Sequence, residues 1–345
     1  MKIKDATFFK TIRGFLTVYL PKQKSASPNT IKSYRETLNL LLKFLEEKKK
    51  IPLHKASFSD LEHKAIGDFL EWLEKSRKCS VSTRNQRLMA IKSFAKYAVL
   101  VDATQASFQI EIQKVPIKKT PSAVVEYLSP EGLKLLLSQP NTKSDRGLRD
   151  QVLMALMYDA ALRCQEILDL KVRDVDLNAA SPSILVTGKG RKMRSVPITQ
   201  KVAEHIKHYL QKFHLQQTGR QDDYLFYTIL HQEKKQMSCD NVGNFIKQYG
   251  KSARKKCRDI PENVHPHQLR HTRAIHLYRA GMPLPILAEF LGHADISTTQ
   301  IYAYADAEMK RAAIKKARGE ELIDAPKEAL WQTDEEMIKR LYGLK

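Results

Sequence analysis

Cysteine is scarce in this sequence and never clustered. Cys79, Cys164, Cys239 and Cys257 are spread over 345 positions with no CxxC pair, so neither a disulfide framework nor a zinc knuckle is indicated. Long apolar runs are missing too. None approaches the roughly 18 residues that a membrane helix needs. The opening MKIKDATFFK lacks the apolar core of a secretory signal. These absences predict a protein of a reducing cytoplasm, away from any membrane. Negative charge is the third shortage: 38 Asp and Glu stand against 59 Lys and Arg, for a formal net charge of +21. A chain this basic points to a polyanion, most commonly nucleic acid. A merely basic cytosolic protein is the plainer alternative. No internal repeat or low-complexity tract stands out, and the length favours two domains.

What is present is mostly helical periodicity. Residues 1 to about 110 read as a helical bundle. Thr30 to Glu47 places Ile31, Tyr34, Leu38, Leu41, Leu42 and Leu45 on one face, with Asn29 or Thr30 as the expected cap. Leu61 to Leu73 repeats the pattern with Ile66, Phe69, Leu70 and Leu73. Ser82 to Val99 turns Leu88, Ile91, Phe94, Ala95 and Ala98 inward and leaves Arg84, Arg87 and Lys92 on its other face. Val115 to Val124, with two prolines and no period, reads as an exposed linker. Ser129-Pro130 supplies a good cap and first helical position for the next helix. Helices are expected at about 130–138, 145–160, 164–170, 200–213, 239–257, 267–280, 284–291 and 297–318. Between Ser183 and Ile198 the period shortens to that of a strand, and two short strands flank Gly188-Lys189-Gly190-Arg191-Lys192-Met193 as a hairpin.

The chemistry concentrates between His265 and Tyr304. His267 and Arg270 are three apart and share a helix face. Gly292 can end a helix in a left-handed cap and leave His293 at a turn. Ser297 and Gln300 form an S-x-x-Q box that starts the helix bearing Tyr302. A zinc site from Cys257, His265, His267 and His271 is conceivable, but its spacing fits no common zinc module. The helices around Gly281-Met282-Pro283 also permit a helix-turn-helix reader of DNA.

These pieces resemble the tyrosine recombinases, the phage-integrase and Xer-type enzymes. The resemblance rests on Ala161-Leu162-Arg163-Cys164-Gln165-Glu166-Ile167-Leu168-Asp169-Leu170, Gly188-Lys189-Gly190, His267-x-x-Arg270, Leu291-Gly292-His293 and Tyr302, in that order, and covers about residues 25–305. It implies a mainly α chain with a small β-sheet. A helical core-binding domain over 1–114 and a linker over 115–128 would precede a mixed α/β catalytic domain over 129–305. It implies six catalytic residues: Arg163, Lys189, His267, Arg270, His293 and Tyr302. Tyr302 would attack a phosphodiester and form a 3′-phosphotyrosyl link. Arg163 and Arg270 would hold the non-bridging oxygens of a phosphate that gains negative charge. His267 would take the tyrosine proton, Lys189 would protonate the leaving 5′ oxygen, and His293 would bind the phosphate or orient its neighbours. Glu166 is expected to fix Arg163 from one helical turn away, with a surface salt bridge as the plainer reading.

One phosphoester replaces another, so religation needs no ATP, and Arg and Lys supply the charge, so no metal or cofactor is expected. The expected partner is double-stranded DNA at an inverted-repeat core site. Contacts are expected from Lys32, Arg35, Arg84, Arg87 and Lys92 in the helical domain and Arg191 and Lys192 in the hairpin. The resemblance also implies four protomers exchanging strands through a Holliday junction. Residues 306–345 carry nine basic and nine acidic side chains and no net charge. Thr333 to Glu336 reads as a capping box, with Met337, Ile338 and Leu341 along one face, and this tail is expected to contact a neighbouring protomer. Integration and excision of a mobile element is the expected role. Dimer resolution of the Xer type, a type IB topoisomerase and a non-catalytic DNA-binding regulator are the alternatives.

Overall fold

The computed structural model describes residues 3–120, 125–178, 180–188, 192–214, 221–293, 295–305 and 335–344. The chain divides into two compact units, Met1–Ala123 and Val124–Lys345. The first is all helix: α1 (Ala6–Gly14), α2 (Pro28–Lys49), α3 (His63–Lys75), α4 (Val81–Val101) and α5 (Ala106–Gln113). After α1 the chain continues in a π-type turn over Phe15–Gln23, with Pro21 inside it. The cap of α2 is Ser27, whose hydroxyl accepts from Thr30 N–H, rather than Asn29 or Thr30. Pro28 decides this: a proline suits the first helical position and forces the residue before it into extended backbone. Ser80 caps α4 in the same way. The core joins Leu38, Leu41 and Leu45 to Ile66, Phe69, Leu70, Leu73, Leu88, Ile91 and Phe94. Phe8, Phe15, Phe58 and Phe94 pack mostly edge to face within it. Each buried ring stabilises by about 1.5–3 kcal/mol through area removed from water.

The linker reading fails at its ends. Val115 is buried in the first unit. Lys118 is fixed by Asn85, which accepts its N–H at 3.1 Å and donates to its carbonyl at 2.8 Å. Leu128 is fully buried in the second unit, and its N–H donates to Thr272. Ile117 to Lys119 remain exposed.

The second unit opens with α6 (Pro130–Leu137), capped by Ser129, then α7 (Asp145–Asp159) and the short α8 (Cys164–Asp169). Strands β1 (Val175–Asp176), β2 (Ser183–Thr187) and β3 (Met193–Pro197) form an antiparallel sheet in that order, with Ile184 opposite Val196 and Thr187 opposite Met193. Helix α9 (Gln200–Phe213) comes next. A second hairpin, β4 (Tyr227–Leu230) and β5 (Glu233–Gln236), was not legible in the sequence. Its two-residue turn uses His231 and Gln232, both at positive φ, where a glycine or asparagine would have advertised it. Strand β5 reads EKKQ, without an apolar face.

Helices α10 (Cys239–Arg254), α11 (Pro266–Arg279), α12 (Leu284–Leu291) and α13 (Ser297–Ala305) complete this unit's framework, and α14 (Glu335–Leu341) lies in the tail. The expected extension of α13 to 318, and Leu330, Trp331 and Thr333 of the tail, lie outside the described residues. Helix α13 opens on Asp295, which accepts from Ser297 N–H, instead of on a Ser297–Gln300 box. Among the described residues no helix is long and apolar enough to cross a membrane.

Candidate active site

The site begins at a backbone kink. Helix α7 ends at Asp159, and Ala161 takes a left-handed φ of 49° while fully buried. That turn sends the next residues, Leu162 and Arg163, into α8. Arg163 is the N-cap of α8, and Glu166 closes the box by accepting from Arg163 N–H at 2.9 Å. Glu166 is no surface residue. It is 6% exposed and gathers three guanidinium groups. Arg163 Nη1 is 2.6 Å from Oε1, Arg194 Nη2 3.0 Å from Oε2, and Arg270 Nη1 3.8 Å from Oε2. Burial alone would raise the Glu166 pKa, but the bonds from Arg194 and Arg163 outweigh it and hold the carboxyl below its usual range.

Arg270 projects from α11 and is wholly buried. Its Nη1 donates to Ala161 O at 2.7 Å and its Nη2 to Leu291 O at 2.6 Å. Its Nε has no hydrogen-bond partner among the described residues. Burial, then the neighbouring Arg163, lower its pKa to about 10, so it stays cationic at neutral pH. A buried cation held this way, with a donor left over, is preorganised for an anion. Arg163 also reaches α12, donating to Gly292 O at 3.3 Å.

Gly292 ends α12 at φ 64°, and its neighbour His293 lies at the turn, as the sequence implies. His293 Nδ1 lies 2.8 Å from the Thr299 hydroxyl. Burial, and after it Arg270 and Arg163, lower the His293 pKa to about 4. His267 is exposed at the start of α11. Tyr302 points inward from α13, 1% exposed, packed with Ala161, Ala274, Ile275, Leu287 and Leu291. Burial raises its pKa, while Arg270 and Arg163 act the other way.

Five of the six expected catalytic residues thus gather around Glu166 and the α11–α13 helices. Lys189, and Arg191 beside it, lie outside the described residues. The hairpin ends that carry them are held by Gly188 N–H donating to Lys192 O at 2.8 Å. Two participants were missed. His271, not His267, contacts the tyrosine: its Nδ1 is 2.8 Å from Tyr302 Oη. Arg194, from β3, links the hairpin to Glu166. The signal for His271 was its place in the His267-Gln268-Leu269-Arg270-His271 run, one turn after His267. Arg194 had no signal beyond its charge. The zinc alternative finds no support in geometry. The rings of His267 and His271 pack edge to face at 4.4 Å, and no group of three or more potential ligands is arranged for a metal among the described residues.

The cations expected on DNA divide sharply. Arg84 is 5% exposed, and its Nη1 donates to Pro116 O at 2.8 Å and to Asn85, beside Glu74. Arg87 ties α4 to α2 through Ser33 O and Thr37. Lys92 Nζ reaches Gln113 O at 3.3 Å. These three tie the bundle together, each donating from its charged head to a backbone carbonyl of another segment. The reading of Arg84 as a contact for DNA is corrected accordingly. Lys32, Arg35 and Lys192 are exposed.

Similarity to known proteins respects these boundaries. The Phage integrase family matches residues 126–309, and the phage integrase N-terminal SAM-like domain matches 12–100. The chain is 33% identical over 322 residues to tyrosine recombinase XerA of Pyrococcus horikoshii, covering 92% of this chain and 97% of that protein. It is 31% identical over 315 residues to a putative integrase/recombinase, y4rC, of Sinorhizobium fredii, covering 91% and 92%. In fold it is similar to the Tn1549 transposon integrase in complex with transposon right end DNA, with a TM-score of 0.65 at 18% identity over 92% of this chain and 99% of that one. The XerH recombinase bound to difH substrate gives 0.62 at 21%, over 91% and 89%. Matched along both units, the chain belongs to the phage integrase family and is a tyrosine recombinase, an enzyme of site-specific DNA recombination.

Proposed function

We propose that Tyr302 is the nucleophile and that Arg163 and Arg270 hold the scissile phosphate. The observation that carries this reading is the burial of Tyr302 against Ala161 and Leu291, the two residues whose carbonyls position Arg270 and leave its Nε unpartnered among the described residues. The phenolate oxygen bonds to phosphorus as the P–O5′ bond breaks, giving a 3′-phosphotyrosyl intermediate and a 5′ hydroxyl. Lys189 supplies the proton to the leaving oxygen, and His267 and His293 bind or orient the phosphate. Glu166 keeps the arginines in register without touching DNA. Lys32, Arg35, Arg191 and Lys192 contribute phosphate contacts along a duplex core site.

Four protomers would exchange strands through a Holliday junction, with the neutral tail beyond residue 306 docking on a neighbour. Integration and excision of a mobile element is the role we favour, and the likeness to the putative integrase/recombinase supports it. The 33% identity to XerA favours a second role, resolution of replicon dimers. Mapping the bound inverted repeat separates them: paired sites at the ends of an element support the first, and a single site in a replicon the second.

The chemistry is tested with a nicked suicide substrate. Tyr302→Phe should bind and synapse DNA yet form no covalent adduct on a denaturing gel. An adduct that persists in Tyr302→Phe and disappears in Tyr304→Phe would transfer the role to Tyr304.

A further inference from the structure

Attack by Tyr302 requires the loss of a proton from a phenol that burial makes less acidic than an ordinary tyrosine, whose pKa is about 10. At 1% exposure bulk water cannot collect that proton directly. An acceptor must stand at hydrogen-bond distance. The hydroxyl lies 2.8 Å from Nδ1 of His271, 31 positions earlier in the chain. No hydrogen bond joins Tyr302 to His267, which packs its ring against His271 instead. Helix α11 therefore presents two histidines one turn apart, and packing against α13 selects the second.

We propose that His271 accepts the Tyr302 proton during cleavage and returns it during religation, as a further catalytic residue of this reaction. The proposal rests on Tyr302 being the nucleophile. In the forward step the O–H bond breaks, the proton moves to neutral His271, the phenolate forms the bond to phosphorus, and the 5′ oxygen leaves with a proton from the general acid. In reverse, the 5′ hydroxyl gives its proton back to the general acid as its oxygen attacks phosphorus, the P–O bond to Tyr302 breaks, and His271 reprotonates the phenolate. Burial first, then His267, His265, Arg270 and His293, push the His271 pKa down to about 4. His271 is thus a neutral imidazole at neutral pH, and in the tautomer that carries its proton on Nε2 the Nδ1 beside Tyr302 accepts. A phosphate held against Arg270 adds negative charge beside the imidazole and offsets that depression, so the acceptor becomes more basic when DNA arrives.

The test is single-turnover cleavage of the nicked substrate by full-length protein. His271→Gln keeps a side chain able to bond the Tyr302 hydroxyl but unable to hold another proton. It should bind a half-site within about twofold of wild type, and form adduct about 10²–10⁴-fold more slowly, the usual range for a lost general base. Fluorinated tyrosines installed at position 302 lower the phenol pKa stepwise. They should progressively restore cleavage in His271→Gln while changing the wild type little. His271→Asn serves the same purpose if the longer amide destabilises the fold, with thermal melting as the check. A wild-type or faster rate overturns the proposal, and so does a defect that fluorination leaves unchanged, because a merely positioning histidine would behave that way. Adduct formation by Tyr302→Phe is a different result and removes the nucleophile assignment itself.

Discussion

Glu166 binds three arginines through one carboxylate, and that arrangement makes the site sensitive to acid. The carboxyl is held below the usual glutamate range, so the stability it contributes is complete above about pH 4.3, its ordinary value, and is lost as pH falls through its lower folded value. His271 and His293 act over a higher window. Their folded pKa values are depressed to about 4 from an ordinary 6.5, so between those values the unfolded chain binds more protons than the native one. Stability should therefore be level above about pH 7 and fall progressively below about 6.5. Melting temperature measured across pH 4 to 8 checks this. A flat profile down to pH 5 would mean that these histidines carry protons in the folded state. Ala161 belongs to the same scale: its left-handed backbone aims the carbonyl that Arg270 requires.

Among the elements, the turn after α12 and the strand β3 depend on each other. A Cβ added at Gly292 would lie 2.8 Å from Arg194 Nη1 and 2.9 Å from its Cζ. Arginine tips usually yield, but this one is held by Glu166 at 3.0 and 3.2 Å. The φ of 64° adds a second obstacle, worth about 1–2 kcal/mol for a residue with a Cβ. Gly292→Ala should lower stability by at least that amount and slow cleavage, because Arg194 must leave Glu166, while half-site binding persists. Chemical denaturation and adduct formation measure the two effects. In an Arg194→Ala background the steric part should vanish and only the backbone cost remain. An equal cost in both backgrounds would show that Arg194 does not fill that space.

For the whole molecule the distribution of charge is the guide. Residues 306–345 carry nine cations and nine anions, so the +21 lies entirely in the preceding 305 positions. DNA affinity should reside there, as a sum over many phosphate contacts. Helix α14, only seven residues long, is too short to be stable alone and requires a surface to dock on. Deleting residues 326–345 should leave binding to a single half-site unchanged and weaken the cooperative binding of a second protomer by about tenfold, or ~1.4 kcal/mol. Gel-shift titrations on half and full sites distinguish these. Full cooperativity in the truncated protein would remove the tail from that role.

Local chemistry was decisive wherever a residue's neighbours in sequence were also its neighbours in space. Apolar spacing located α2, α3 and α4, Ser129-Pro130 marked the start of α6, and Gly292 announced the end of α12, because a helix turn or a cap involves residues three or four apart. Arg163 and Glu166 were legible together for the same reason. The tertiary structure decided the contacts that span long stretches of chain. His267 and His271 occupy one face of α11, and nothing local says which meets Tyr302. Only the packing of α13 does. Arg194 reaches Glu166 across 28 residues, and Arg84 finds the carbonyl of Pro116 across 32. A guanidinium on a helix face looks the same in sequence whether it awaits a phosphate or closes a seam. What separates the two is the backbone that folds over it.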